Sequence, residues 1–77
     1  MPPTIQILAE KLEQTKGQEH FITMAALRRY LQRITDIEFS QQVDLIDNPD
    51  IMGYLFSAGL PARRQTVVSL KHQELIK

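Results

Sequence analysis

Two helix-type stripes of apolar residues, set almost end to end, constrain the fold of this chain more than any other feature. Between His20 and Asn48 apolar residues recur at spacings of three and four, in two successive sets: Leu27, Tyr30, Leu31 and Ile34, then Phe39, Val43 and Ile46. This spacing predicts two amphipathic helices. Thr35 and Glu38 form a capping box, which starts the second helix directly after the first stripe ends. The two helices must therefore turn sharply against each other.

Another helix is predicted before this pair. Thr4 can cap its N-terminus, and Gly17 suits the left-handed conformation that ends many helices. Its inner face would be formed by Ile5, Leu8, Ala9 and Leu12. Between this helix and the pair, the aromatic and β-branched residues of His20–Thr23 favour a short extended segment. Thr23 is then the predicted cap of the first helix of the pair.

After the pair, residues 51–57 allow two interpretations. Their apolar residues run continuously rather than in a stripe, and Gly53 weakens a helix, which together favour a strand. Asn48 as a cap and Pro49 at the first helical position would instead open a short helix that ends at Gly59. We prefer the strand.

A second strand is predicted over residues 65–71, which are rich in β-branched side chains. Residues 58–64 connect the two strands, and glycine and proline mark this segment as a loop. The loop carries Arg63 and Arg64. The C-terminal part of the chain is therefore predicted to be a β-hairpin with a basic loop, and residues 72–77 either extend its last strand or add a helical turn.

The resulting order of elements resembles a winged helix, the helix-turn-helix variant that carries a β-hairpin wing. The expected fold class is α+β, with three helices, a short strand and a C-terminal β-hairpin in one domain over residues 1–77. The alternative is an all-α domain of four to five short helices. In winged-helix DNA-binding proteins the second helix of the pair enters the major groove and the wing contacts the backbone or the minor groove. The resemblance thus implies that residues 36–47 form a recognition helix.

The same resemblance supplies candidate nucleic-acid-binding residues on both helices of the pair and on the wing. They are Arg28, Arg29, Arg33, Gln41, Arg63 and Arg64. Against this expectation, the chain has a formal net charge of zero, and residues 35–59 contain five acidic residues and no basic one. Carboxylates near phosphate are repelled. The leading hypothesis is a DNA-binding or transcription-associated protein that binds double-stranded DNA; the alternative is a protein-interaction or dimerisation module without nucleic-acid binding.

An interface is predicted on the strand at 51–57. Strand alternation would place Met52, Tyr54 and Phe56 on one face, opposite Ile51 and Leu55. Only one face of the strand can pack on the helices of so small a domain, so the other would expose apolar side chains, which usually marks an interface. A symmetric homodimer would cover them, or the last residues of the chain could fold back over them.

Several classes of function are not supported by the residues present. The chain has no cysteine, and neither His20 nor His72 has metal-ligand partners at the usual spacing. No serine lies in a nucleophile motif. We therefore expect no enzyme activity, no metal and no cofactor. No apolar run approaches the ~20 residues that span a bilayer, and the N-terminal segment does not resemble a signal peptide, so a soluble cytoplasmic protein is expected.

Overall fold

The computed structural model describes residues 4–77, and all regular structure in this range is helical. The elements are α1 (Ile5–Gln14), α2 (Gly17–Arg33), α3 (Asp36–Asp44), a 3₁₀ turn (Pro49–Ile51), α4 (Met52–Phe56) and α5 (Ala62–Leu75). The described residues contain no strand. The predicted α+β class and the winged-helix resemblance are therefore wrong, because there is no wing hairpin. The all-α alternative describes the observed architecture.

The starts of α1 and α3 are confirmed at the predicted caps. The Thr4 hydroxyl accepts a hydrogen bond from the Ile7 backbone N–H at 3.2 Å. The Thr35 hydroxyl likewise accepts from the Glu38 N–H at 3.1 Å, and the Glu38 carboxylate contacts the Thr35 hydroxyl at 3.4 Å. Each cap satisfies an N–H group that has no partner within its helix.

Helix α2 begins earlier than predicted, so the extended segment at His20–Thr23 and the cap at Thr23 are wrong. Thr23 lies inside the helix, where its buried hydroxyl donates to the Glu19 carbonyl oxygen at 2.9 Å. The His20 Nδ1 donates to the Leu12 carbonyl oxygen at 3.0 Å and so ties the first turns of α2 to the end of α1. Such tertiary contacts outweigh the few tenths of a kcal/mol that a β-branched residue costs in a helix.

The strand predicted at residues 51–57 is also wrong, and the helical alternative for this segment is correct. The Asn48 side chain accepts from the Asp50 N–H at 2.9 Å, and Pro49 occupies the first helical position. Ile51, Met52 and Leu55 all point into the core. Strand alternation would have separated Met52 from the other two, whereas helical spacing places the three together.

The strand predicted at 65–71 is instead the middle of α5, and Arg63 and Arg64 lie in the first turn of this helix rather than in a loop. Val68 is the one fully buried apolar side chain of α5. Arg64 and Lys71, four residues before and three after it, share its inward side. Because charged side chains with buried aliphatic stems fill this face, the apolar helical pattern is absent from the sequence of α5.

Helix α1 lies at the centre of the packing. It contacts α2, α3, α4 and the 3₁₀ turn, while α5 packs on α3 and α4. The buried apolar core contains the residues of the two stripes except Tyr30, which is half-buried against it, together with residues of the other helices. Its members are Ile5, Ala9, Leu12, Leu27, Leu31, Ile34, Phe39, Val43, Ile46, Ile51, Met52, Leu55 and Val68. Within residues 4–77, no helix combines the length and the hydropathy needed to cross a lipid bilayer.

Candidate interaction surfaces

Arg64 joins three helices through its guanidinium group. Its Nη1 and Nη2 donate to the carbonyl oxygens of Leu31 and Ile34, at 2.7 and 2.9 Å, and its Nε donates to the Asp36 carboxylate at 2.9 Å. The guanidinium also lies 4.8 Å from the centre of the Phe39 ring. A cation at the C-terminal end of α2 is favoured by the helix dipole. The predicted nucleic-acid-binding residue Arg64 thus has three of its five N–H donors occupied at the junction of α2 and α3.

Arg63 differs from its neighbour in exposure. Its side chain is 82% exposed, against 14% for Arg64, although it too contacts the Asp36 carboxylate, at 3.3 Å. The hydrogen bond from Arg64, helped by the positive charge of both arginines, lowers the pKa of Asp36 below its ordinary value. Both predicted wing arginines therefore face a carboxylate that competes with any phosphate.

Lys71 holds the other end of α3. Its Nζ donates to the Asp44 carbonyl oxygen at 2.7 Å, and the carboxylates of Asp44 and Glu74 lie at 4.0 Å. Asp44 is the last residue of α3, so this cation sits at a helix C-terminus, as Arg64 does on α2. Helix α5 thus contacts both ends of α3. Arg64 binds Asp36 at the start of α3, and Lys71 binds the Asp44 carbonyl oxygen at the end of α3.

Gln42 positions α3 from the opposite side. Its Oε1 accepts from the Ile5 N–H at 2.9 Å, and its Nε2 donates to the Tyr30 hydroxyl at 2.7 Å. It therefore links α3 to the N-terminus of α1 and to the middle of α2. Gln41, the residue predicted to contact DNA, points away from these contacts and is exposed.

The three arginines predicted on α2 remain exposed. None of Arg28, Arg29 and Arg33 forms an ion pair with a carboxylate among residues 4–77. They do not form one cluster with the α5 arginines. Arg28 lines a cleft of about 290 Å³ beside Arg64, whereas Arg29 and Arg33 line a separate depression next to Leu8. The structure thus brings only Arg28 near Arg64.

The predicted interface residues lie in three different environments. Met52 is fully buried, because its helix turns it into the core. Tyr54 is half-buried, with its ring 6.1 Å from that of His20. Phe56 lies at the surface, edge-on to the His72 ring at 5.7 Å. The predicted interface required these three residues to lie on one face of a strand, and this is wrong because the segment is helical.

A different apolar surface surrounds α3. Ile37 and Leu45, near its two ends, are 72% and 76% exposed. Ile7 of α1 and Leu70 of α5 are also exposed, one on each flank of α3. We call these four residues, with Gln41 and Asp44 between them, the α3 face. Of the α3 face, only Gln41 is identified from the sequence as a candidate for binding. The spacing of two residues between Val68 and Leu70 places them on opposite sides of a helix, so the outward position of Leu70 follows once α5 is known to be helical.

Two shallow depressions border α3 and contain the flanking residues of this face. The one between α1 and α3, of about 280 Å³, is lined by Ile7 and Leu45 together with Glu10. The one between α3 and α5, of about 190 Å³, is lined by Leu70, by the carboxylates of Asp44 and Glu74, and by Lys71, whose Nζ lies 4.0 Å from both carboxylates. Each depression thus combines an exposed aliphatic side chain with an excess of carboxylates, so the α3 face suits a partner that offers apolar side chains and positive charge.

The residues described by the structure provide no alternative site of a recognisable chemical type. In residues 4–77, no three side chains of His, Cys, Asp or Glu are grouped so that they could hold a metal ion. No buried polar side-chain atom in this range lacks a hydrogen-bond partner. Comparison of the chain with protein-family models, curated proteins and solved structures finds no match.

Proposed function

We propose that this chain is a non-catalytic protein-interaction module that binds a basic, apolar partner segment on the α3 face. The observation that carries the proposal is the exposure of Ile37 and Leu45 on the outside of a well-anchored helix. Both ends of α3 are fixed by α5, and Gln42 ties it to α1 and α2. A rigid helix that displays aliphatic side chains can bind a second helix in its flanking grooves.

The charge of the α3 face specifies the partner further. Asp44 belongs to the α3 face, and four more carboxylates lie in the first turn of α3 and in the two flanking depressions: Asp36, Glu38, Glu10 and Glu74. Three cations lie nearby: Arg64 and Lys71 are turned toward carbonyl oxygens, and the exposed Arg63 contacts Asp36. Carboxylates therefore outnumber cations around this surface. A partner segment with arginine or lysine beside its apolar residues would complement this surface and approach it faster.

The exposed apolar area sets the expected affinity. Complete burial of a leucine or isoleucine side chain contributes ~1.5–3 kcal/mol, and the four aliphatic residues of the α3 face are between 46% and 76% exposed. Their burial could supply about 4–8 kcal/mol, and a partner that buries a similar apolar area of its own raises this to about 8–16 kcal/mol, of which association costs of roughly 4–15 kcal/mol offset a large part. We therefore expect weak binding, with dissociation constants of about 10 µM to 1 mM.

The proposal is tested with a short capped peptide of leucine and arginine, patterned as an amphipathic helix. Titration into the ¹⁵N-labelled chain should shift the amide signals of Ile37, Gln41 and Leu45, and of Ile7 and Leu70 on the flanks. A peptide with glutamate in place of arginine is the matched control and should cause little change. The absence of shifts around α3 with the basic peptide, up to about 1 mM, would contradict the proposal.

Double-stranded DNA is the second candidate partner, supported by the three exposed arginines of α2. Because Arg63 and Arg64 contact Asp36, such binding would have to use α2 rather than the α3 face. Titration with duplex DNA at low and moderate salt distinguishes the two candidates. Micromolar binding that weakens steeply with salt, and is lost in an Arg28→Ala/Arg29→Ala variant, would favour DNA. A cytoplasmic location belongs to both proposals and is tested by fractionating cells that express the tagged chain.

A further inference from the structure

We infer that the partner of the α3 face is α2 of a second copy of this chain. The inference rests on the proposed function, since it names the segment that occupies the same surface. It is argued from the outward side of α2, which the fold leaves uncovered, and from the match of its chemistry to the α3 face.

Helix α2 packs on α1 with one side and exposes the other. Leu27 and Leu31 are buried, whereas Phe21 on the outward side is 77% exposed and Ile22 beside it is also exposed. A large aromatic side chain that remains in water is a typical anchor of a protein interface. The N-terminal half of α2 therefore exposes an apolar patch formed by Phe21 and Ile22.

The C-terminal half of α2 supplies the positive charge. Arg28, Arg29 and Arg33 are exposed and form no ion pair among the described residues. Phe21 precedes Arg28 by seven residues, or about 10 Å along a helix. A single helix of this chain thus carries an apolar end and a basic end on its outward side, which is the chemistry that the α3 face requires.

The α3 face has the matching order in reverse. Leu45 is exposed at the C-terminal end of α3, and the carboxylate of Glu38, beside Ile37, is exposed near its N-terminal end. Asp36 at that end is already paired with Arg63 and Arg64. Leu45 follows Glu38 by seven residues, the same separation as Phe21 and Arg28. An antiparallel approach of α2 to α3 would therefore place Phe21 in the depression beside Leu45 and Arg28 near Glu38.

Self-association is also compatible with the total charge. The chain has a formal net charge of zero, so copies do not repel one another over long distances. Under two-fold symmetry the α2–α3 contact would form twice in a dimer, because each copy carries both surfaces. Such a dimer would cover the exposed apolar residues of both helices.

Charge reversal on each surface in turn tests the inference. One variant carries Arg28→Glu and Arg29→Glu on α2, and the other carries Gln41→Lys and Asp44→Lys on α3. Sedimentation velocity should show wild-type dimers with a dissociation constant of about 10 µM to 1 mM and monomers of either variant alone. An equimolar mixture of the two variants should associate again, since both reversed surfaces then meet opposite charge.

The control reverses two cations outside both surfaces. Lys11→Glu/Lys16→Glu changes the net charge as much as the α2 variant and should dimerise like wild type; circular dichroism establishes that each variant is folded. Three outcomes would overturn the inference: a monomeric wild type at about 1 mM, undiminished association of either single-surface variant, or a mixture that stays monomeric. If wild type is monomeric while the leucine–arginine peptide still binds at α3, the proposed function survives and only the second copy is excluded.

Discussion

Replacing Arg64 with alanine should destabilise the chain far more than the same change at Arg63. Arg64 donates two hydrogen bonds to carbonyl oxygens at the end of α2 and one to Asp36, and it stacks on Phe39. A hydrogen bond involving a charged group contributes ~1.5–3 kcal/mol, and the cation–π contact adds ~0.5–1 kcal/mol. Because water can reach the vacated carbonyl groups, we expect a net loss of about 3 kcal/mol of unfolding free energy rather than the full sum.

Thermal unfolding followed by circular dichroism measures this loss. For a domain of this size, ~1 kcal/mol corresponds to ~4–8 °C, so the midpoint of Arg64→Ala should fall by roughly 12–24 °C. Arg63→Ala removes an exposed ion pair and should change the midpoint by only a few degrees, about 4 °C or less. Arg64→Lys keeps the positive charge but loses the planar guanidinium that donates several hydrogen bonds at once. Its thermal midpoint should therefore lie between those of Arg64→Ala and Arg63→Ala. Equal midpoints for Arg63→Ala and Arg64→Ala would refute the role assigned to the buried guanidinium.

Three other substitutions test the anchoring of α3. Lys71→Met keeps the buried stem but removes the bond to the Asp44 carbonyl, which should cost about 1 kcal/mol in urea unfolding. Gln42→Ala leaves the N–H at the start of α1 and the hydroxyl on α2 without their partner and should cost about 2 kcal/mol by the same assay. Because its pKa is lowered in the folded state, Asp36 contributes stability above pH 3.8 that is lost as the pH falls through its folded value. Thermal midpoints measured from pH 5 to pH 2 should therefore fall less in Asp36→Asn than in wild type; an equal fall would exclude Asp36 as a source of the acid sensitivity.

The elements predicted correctly are those that carry their signals in local residues. Thr4 and Thr35 stand at the caps of α1 and α3, and the apolar stripes of these helices and of the second half of α2 face the core as predicted, with Leu8 and Tyr30 half-buried at its edge. A helix cap or an apolar stripe depends only on residues within one or two helical turns of each other, so the sequence alone is sufficient to predict it.

The elements predicted wrongly depend on contacts that are distant in sequence. The residues of helix α5 predict a strand because residues 65–71 are rich in β-branched side chains. The inner face of this helix depends instead on Arg64 and Lys71, whose carbonyl partners on α2 and α3 lie 27 to 33 residues away, and no local pattern reveals them. The resemblance to a winged helix rests on this strand and on the strand predicted at 51–57, since the wing is assigned to residues that form α4 and α5.

The candidate surface was recognised only in part for a related reason. The arginines and Gln41 were chosen because a recognition helix needs donors, but exposure and free donors could be judged only after packing was known. Leu45 and Leu70 are apolar, and only the helix positions they occupy show that they are turned outward. An apolar residue becomes a candidate for binding only when the core is shown to be complete without it.

The most direct test of the proposed function separates binding from folding at the α3 face. In an Ile37→Gln/Leu45→Gln variant the two side chains become polar with little loss of buried area, since they are 72% and 76% exposed. The unfolding free energy should stay within about 0.5 kcal/mol per substitution of the wild-type value, while the affinity for the leucine–arginine peptide should fall at least about tenfold. Unchanged peptide binding in a variant of wild-type stability would contradict the assignment of the α3 face as the binding surface.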